Sequence, residues 1–223
     1  MYTNGNFESH LAAMCLMGTL GVTALLTIAT VVLFVKRKRW APYTALAMVV
    51  LLAGYAAVVG LFSWGSYDRI AKRGDEKFFC GMDCHVGYSV QNVEQVKSIG
   101  DLTAQGEFVV VTLRSHFDGR TIAPWRGNAP LKPDPPELEL VDATSRRYAV
   151  SSSGQKAWDA AHPQSHSLTD SLRPGESFET TWVFEIPAGS SVLRLFAGWN
   201  GFPSYVLIGD EASPGHAKTY LAL

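Results

Sequence analysis

Two long runs without a charged residue constrain this chain more than any other feature. Residues 11–35 carry none across 25 positions, and residues 42–64 carry none across 23. About 20 apolar helical residues span a hydrocarbon core of about 30 Å, so each run predicts a transmembrane helix. A helix buried in a soluble core is usually shorter and has a polar face. The short connection predicts an antiparallel membrane hairpin within residues 1–66.

The charge distribution predicts how the hairpin is oriented. Residues 1–66 carry a net charge of +3, all of the positive charge lying at residues 36–39, and the remainder carries −4. Positive loops favour the cytoplasm, which predicts that both termini lie outside, in the periplasmic or extracytoplasmic space of a bacterial inner membrane. Basic residues at 69, 72, 73 and 77 count against this orientation. Because the positive charges follow the first apolar run, that run does not match a cleaved signal peptide.

The C-terminal half has the period-two pattern of β-strands. Phe178, Trp182 and Phe184 alternate with polar or smaller residues between two Pro-Gly turn signals, so Trp182 and Phe184 are expected in a core. Further strands are predicted at residues 108–115, 137–142, 147–150, 192–197, 205–208 and 219–223, and a short helix at 154–161. Short strands separated by turns predict an immunoglobulin-like antiparallel β-sandwich over residues 104–223. Residues 67–103 are interpreted as a connector with some helix or turn.

A proline-rich segment interrupts the predicted strands. Residues 118–136 contain five prolines, which lack the N–H that a central strand donates. The segment is therefore predicted to be an ordered surface loop or a crossover between sheets. Trp125 lies within it, and an aromatic residue at such a position is typical of an interface anchor.

Two resemblances support an extracytoplasmic sandwich. Residues 172–178 and 182–187 resemble a strand signature of immunoglobulin-like domains on bacterial lipoproteins and membrane proteins, which implies a fold and a compartment. The layout of two spans followed by a sandwich resembles subunit II of the haem-copper oxidases, which would imply a copper site. Tyr88 and Gln91 stand where that family's motif has His and Met, and here the cysteines precede the sandwich.

One motif could carry chemistry, the sequence Cys-Gly-Met-Asp-Cys-His at residues 80–85. Cys15 lies in the first apolar run, so Cys80 and Cys84 are the external cysteines, and an oxidising compartment favours a disulfide between them. Such a bridge closes a very small loop and would stabilise the fold little. Cys80, Cys84 and His85, with Met82 as a further donor, are also soft ligands suited to copper or to thiol redox work. Covalent haem c is a third hypothesis, although its attachment signal has one residue fewer between the cysteines.

The remaining patterns favour a protein without catalytic activity. No phosphate loop, dinucleotide fingerprint or hydrolase elbow occurs, and the acidic external part lacks the basic stripe that nucleic acids require. The sequence therefore predicts a membrane-anchored binding or assembly module, or an accessory subunit of a membrane complex. Its expected partners are the lipid bilayer and other membrane or periplasmic proteins. The alternative is a redox or copper-handling protein that uses Cys80, Cys84 and His85.

Overall fold

The computed structural model describes residues 2–80, 85–123, 125–164, 166–191, 193–199 and 201–223. Helix α1 (Ser9–Val35) and helix α2 (Ala41–Trp64) form an antiparallel hairpin, as predicted. Both are long and apolar enough to cross a membrane by length and composition. Polar side chains on the two helices pair between them, since the Thr30 hydroxyl hydrogen-bonds that of Thr44 at 2.8 Å.

The rest of the chain forms two five-stranded sheets, which confirms the predicted sandwich. The first sheet has the spatial order β1 (Tyr2–Thr3), β3 (Lys77–Phe78), β4 (Val86–Ile99), β5 (Leu102–Phe117) and β8 (Ser177–Ile186). The second has the order β2 (Arg69–Ala71), β10 (Thr219–Ala222), β9 (Arg194–Gly198), β6 (Glu137–Val141) and β7 (Arg147–Ala149). Neighbouring strands are antiparallel except for the pairs β1–β3 and β2–β10.

The main core lies between the sheets and is built from alternate residues of their strands. Phe184 is fully buried there, as predicted, whereas Trp182 on the same strand face is only partly buried. The opposite face of β8 is covered as well. Helix α3 (Ser152–Ala161), close to the predicted short helix, packs on it and buries Val183. Gly154 permits this approach, because a Cβ there would lie 2.8 Å from a Val183 methyl carbon.

The prediction of a connector with helix or turn is correct for residues 73–74, which form a turn, but wrong for most of the described part of residues 67–103. This stretch holds β2, β3 and the 14-residue β4, which pairs with β5 along most of its length. Register shifts between Val90 and Asn92 and between Val96 and Ser98 break the period-two pattern by which such a strand is recognised. The strand predicted at residues 205–208 is also wrong, because a 3₁₀ helix occupies Ser204–Val206.

The proline-rich segment crosses between the sheets, in agreement with the sequence. It runs from the end of β5 in the first sheet to the start of β6 in the second. Leu131 and Leu172 exchange backbone hydrogen bonds of 2.8 and 2.9 Å, which fix its middle. Trp125 is 88% exposed on this loop.

Both segments that flank the hairpin enter the sandwich. The tail before α1 supplies β1 at the edge of the first sheet, and the segment after α2 supplies β2 at the edge of the second. Gly5, four residues before α1, also bridges to Asp210. The sandwich is therefore held to the helices through two different strands, one in each sheet.

Candidate functional site at the junction of hairpin and sandwich

The N-terminal tail is bound to the sandwich through Asn4, a buried residue. Its backbone N–H donates to the Phe78 carbonyl at 3.2 Å, and its own carbonyl accepts from the Glu211 N–H at 2.8 Å. The side-chain amide donates to Asp210 Oδ2 at 3.1 Å and accepts from the Cys80 N–H at 2.9 Å. Since each group of a buried amide needs a partner, Asn4 fits this position well.

Lys77 lies beside this tail contact and is completely buried. Its Nζ donates to the Glu211 carboxylate at 2.7 Å and to the carbonyls of Ala197 at 2.6 Å and Thr219 at 2.7 Å. An ammonium group has three N–H donors, and these three bonds use them all. Because Lys77 belongs to the first sheet while Ala197 and Thr219 belong to the second, the residue links the two sheets.

Burial favours the neutral forms of the ionisable groups in this cluster and shifts their pKa values accordingly. It lowers the pKa of Lys77 and raises that of Glu211, while the ion pair between them opposes both shifts. Burial also raises the pKa of Asp210 to about 7, against the effect of a hydrogen bond from the Ala212 N–H. The carboxyl of Asp210 therefore titrates near neutral pH in the folded protein.

Two cavities adjoin the cluster. The larger has a volume of about 520 Å³ and lies between the tail, the first turn of α1 and the loop before Asp210, with Arg69 and Cys80 in its wall. The second, of about 360 Å³, lies on the side of Trp199 and is also lined by Cys80 and Asp210. Both volumes fall within the range of small-molecule sites. The lining of the larger cavity includes the basic Arg69 and the acidic Asp210.

The structure brings together two of the residues predicted from the Cys-His motif. The Phe79 N–H donates to the Val86 carbonyl at 3.3 Å, which extends the antiparallel pairing of β3 and β4. In the register of that pairing, the next two residues, Cys80 and His85, are opposite each other. Both are 8% exposed.

The His85 ring has a defined orientation. It stacks on Phe117, with ring centres 5.5 Å apart, and its Nδ1 is 2.7 Å from the Thr121 hydroxyl oxygen. The Thr121 hydroxyl donates to the Asp118 carbonyl at 2.7 Å, so the hydroxyl oxygen accepts a hydrogen bond from the Nδ1–H of His85. This arrangement places a proton on Nδ1 and fixes the plane of the ring.

Met82 and Cys84 lie outside the described residues. The disulfide between Cys80 and Cys84, the copper ligand set and the attachment of haem c therefore stay predictions. Within the part of the chain that the structure describes, no group of three or more His, Cys, Asp or Glu side chains is placed to hold a metal ion.

Sequence reasoning missed the cluster of Asn4, Lys77, Asp210 and Glu211. A signal was present, because Lys77 directly precedes the apolar Phe78 and Phe79, and the two acids closely follow an apolar run. A charged residue beside an apolar run can be either exposed or part of a buried ion pair, and the sequence does not tell which unless the partner is known. Here the partners are distant in sequence, because Lys77 and Glu211 are separated by 134 positions.

Fold and junction together define a two-helix hairpin that carries a β-sandwich. The sequence matches no family model and no curated protein. Among solved structures, it is similar to the secreted protein MPT63 of Mycobacterium tuberculosis, with 15% identity, a TM-score of 0.45 and coverage of 71% of this chain and 100% of that one. It is also similar to a conserved hypothetical protein of Bacillus anthracis, with 18% identity, a TM-score of 0.37 and coverage of 51% and 80% respectively. With both TM-scores below 0.5, these similarities carry no argument about function.

Proposed function

We propose that the protein is a membrane-anchored binding or assembly module, an accessory subunit that holds its sandwich at a fixed position above the lipid surface. The observation that carries this proposal is the double attachment of the sandwich. Strand β1 before the hairpin and strand β2 after it belong to different sheets, so neither attachment is a flexible linker. The surface presented by the sandwich is thereby held in one orientation, as docking of a neighbouring membrane protein requires.

The same contacts support an uncleaved first helix. Residues 2–6 precede α1 and supply β1, the Gly5 bridge and the buried Asn4 amide. Removal of α1 as a signal sequence would remove all of these from the sandwich. The hairpin therefore acts as a permanent anchor in the proposed function.

Trp125 is the proposed contact point for a partner. The loop just after Trp125 is held by two hydrogen bonds: the Arg126 guanidinium donates to the Ala129 carbonyl at 2.7 Å, and Arg173 donates to the Asn128 carbonyl at 3.1 Å. A large aromatic side chain on an ordered loop loses little conformational entropy on binding, and such residues often dominate interfaces.

Site-specific photocrosslinking in intact membranes tests the proposal. A photoreactive amino acid at position 125 is expected to give a discrete protein adduct, whereas the same probe at Asp101, exposed at the tip of the β4–β5 hairpin, is not. Trp125→Ala should weaken copurification of the crosslinked protein while leaving the sandwich folded. Equal adducts from the two positions, or adducts with lipid alone at position 125, would contradict the assembly function.

A second candidate function is thiol redox or copper handling, and the opposed positions of Cys80 and His85 favour it. When the cysteines of the motif are in the reduced state, a neighbouring imidazole can ligate a metal together with a thiolate or lower a thiol pKa. His85→Ala should then reduce copper bound by the purified protein or alter thiol reactivity, whereas His166→Ala, on an exposed loop, should not. Unchanged copper content and thiol reactivity in the His85 variant would exclude this candidate.

A further inference from the structure

The loop between β9 and the Asp210 turn reaches down the side of the helical hairpin. This segment, residues 201–208, contains no charged residue and is called the junction loop below. Its Leu207 and Ile208 are buried in a cluster with Ala12 and Leu16 of α1. The Tyr55 hydroxyl of α2 donates to the Val206 carbonyl at 2.7 Å.

The contact with Tyr55 places the junction loop below the end of the helix. Tyr55 lies nine residues before Trp64, the last residue of α2, which corresponds to about 14 Å of helix. The 24 residues of α2 extend about 36 Å, so the helix exceeds a hydrocarbon core of about 30 Å by only about 6 Å. Even if all the excess lies on the sandwich side, Tyr55 is about 8 Å inside the core.

Part of the junction-loop backbone is paired within the protein, which reduces the cost of placing it in lipid, where polar groups need protein partners. The Ser213 hydroxyl donates its one hydrogen to the Leu207 carbonyl at 2.6 Å. Within the loop, the N–H groups of Tyr205 and Val206 donate to the carbonyls of Gly201 and Pro203 at 3.4 and 2.9 Å.

The outward side of the junction loop is apolar and aromatic. Phe202 is 77% exposed and Tyr205 is 46% exposed. Trp64 and Tyr67, at the end of α2 and just beyond it, are 88% and 76% exposed. Trp and Tyr are enriched where membrane meets water, and this surface continues directly from the apolar surface of the hairpin.

We propose that the junction loop inserts into the leaflet on the sandwich side, where Phe202 and Tyr205 contact acyl chains and form a third membrane contact beside the two helices. The proposal rests on the membrane anchoring in the proposed function, since the hairpin sets the depth of the loop. It adds that the sandwich is seated in the lipid surface as well as tethered to it.

Depth-dependent fluorescence quenching tests this insertion in the full-length protein. A fluorescent amino acid replaces Tyr205, and the protein is reconstituted in phosphatidylcholine vesicles with bromine atoms high on the acyl chains. The same probe at Val58 of α2 serves as the buried-in-lipid reference, and at Asp101 as the aqueous reference. We expect quenching at position 205 to approach that at position 58, and position 101 to keep its emission. Because Tyr205 is partly exposed, the probe should be tolerated, and a probe at Phe202 gives an independent second measurement.

The outcomes separate this inference from the proposed function. Quenching at position 58 without quenching at 205 and 202 would overturn the inserted loop and leave the anchored hairpin intact. Absence of quenching at position 58 would overturn the membrane anchor, and the inserted loop with it. Equal quenching at all three positions, including 101, would show non-specific adsorption and would also overturn the inference.

Discussion

At the scale of single residues, the buried ion pair of Lys77 and Glu211 links the two sheets. Taking two charges out of water is costly, and the pair offsets this cost through short, well-directed hydrogen bonds. The Glu211 carboxylate also accepts from the Thr219 N–H at 3.0 Å, so both partners are held by the second sheet. Loss of either partner leaves the other as an unpaired buried charge.

The Lys77→Met variant is therefore expected to unfold more easily, by about 3–5 kcal/mol, the cost of breaking a buried pair from one side. Chemical denaturation in detergent, followed by circular dichroism of the sandwich, measures this. Adding Glu211→Gln to Lys77→Met should recover part of the loss, because it removes the unpaired charge. A single variant as stable as the wild type would show that the pair does not hold the sheets together.

Asp210 makes stability depend on pH with a defined sign. Its pKa rises from 3.8 to about 7 on folding, so between these values the folded protein binds more protons than the unfolded chain. Stability is then lost as pH rises through this window. The melting temperature of the wild type should fall between about pH 4 and pH 7, and Asp210→Asn should reduce that fall.

Asp142→Asn is the control for this titration. The pKa of Asp142 is lowered to about 2 by hydrogen bonds, the largest from Thr144, so its carboxylate stays ionised throughout the window. The slope of melting temperature against pH should be the same in this variant and in the wild type. An equal slope in Asp210→Asn would mean that Asp210 does not titrate there.

At the scale of elements, the tail before α1 is a structural part of the sandwich. Strand β1 has only two residues, and the Gly5 bridge lies immediately beyond Asn4. A Cβ at Gly5 would lie 2.6 Å from the Gly209 carbonyl oxygen. The tail and the Asp210 turn are therefore too close together for a residue with a side chain at position 5.

The Gly5→Ala variant should destabilise the junction by about 1–3 kcal/mol, the usual cost of overpacking. Faster hydrogen exchange of residues 207–211 and a lower melting temperature are the expected readouts. Gly18→Ala in α1 is the matched control, because a Cβ there meets nothing within 4 Å. Unchanged exchange in the Gly5 variant would show that the tail is not closely docked.

At the scale of the whole molecule, the sheets place the N-terminal tail and the C-terminal sandwich at the same end of the helical hairpin. Strand β1 and the sandwich must lie on the same side of the hairpin because they are hydrogen-bonded to each other. The loop at residues 36–39 lies at the other end of the helices. Its four basic residues remain the reason to expect that this end faces the cytoplasm.

Labelling of intact cells with a membrane-impermeant maleimide tests this orientation. The Asp101→Cys variant should react from outside, and Lys38→Cys should react only after the membrane is opened. The reverse pattern would contradict the orientation but not the hairpin. Wild-type protein treated with the same maleimide gives the background; its Cys15 lies in α1.

Elements with a strong local signal can be predicted from the amino-acid sequence. Residues 11–35 and 42–64 form helices because long uncharged runs allow little else, and β8 was recognised because its alternation matches a strand with one buried face. Strand β4 is not predicted from the sequence because its register shifts interrupt that alternation. A pattern of local hydrophobicity reports burial along one segment and says nothing about its partner.

Contacts between residues far apart in sequence depend on how the sheets and helices pack. Asn4 hydrogen-bonds Asp210 across 206 positions, Lys77 pairs with Glu211 across 134, and Tyr55 holds Val206 across 151. Each of these contacts joins polar groups whose pairing is set by the packing of sheets and helices around them. The energetic need of a buried charge or amide for a partner is general, but the identity of that partner follows from the fold alone.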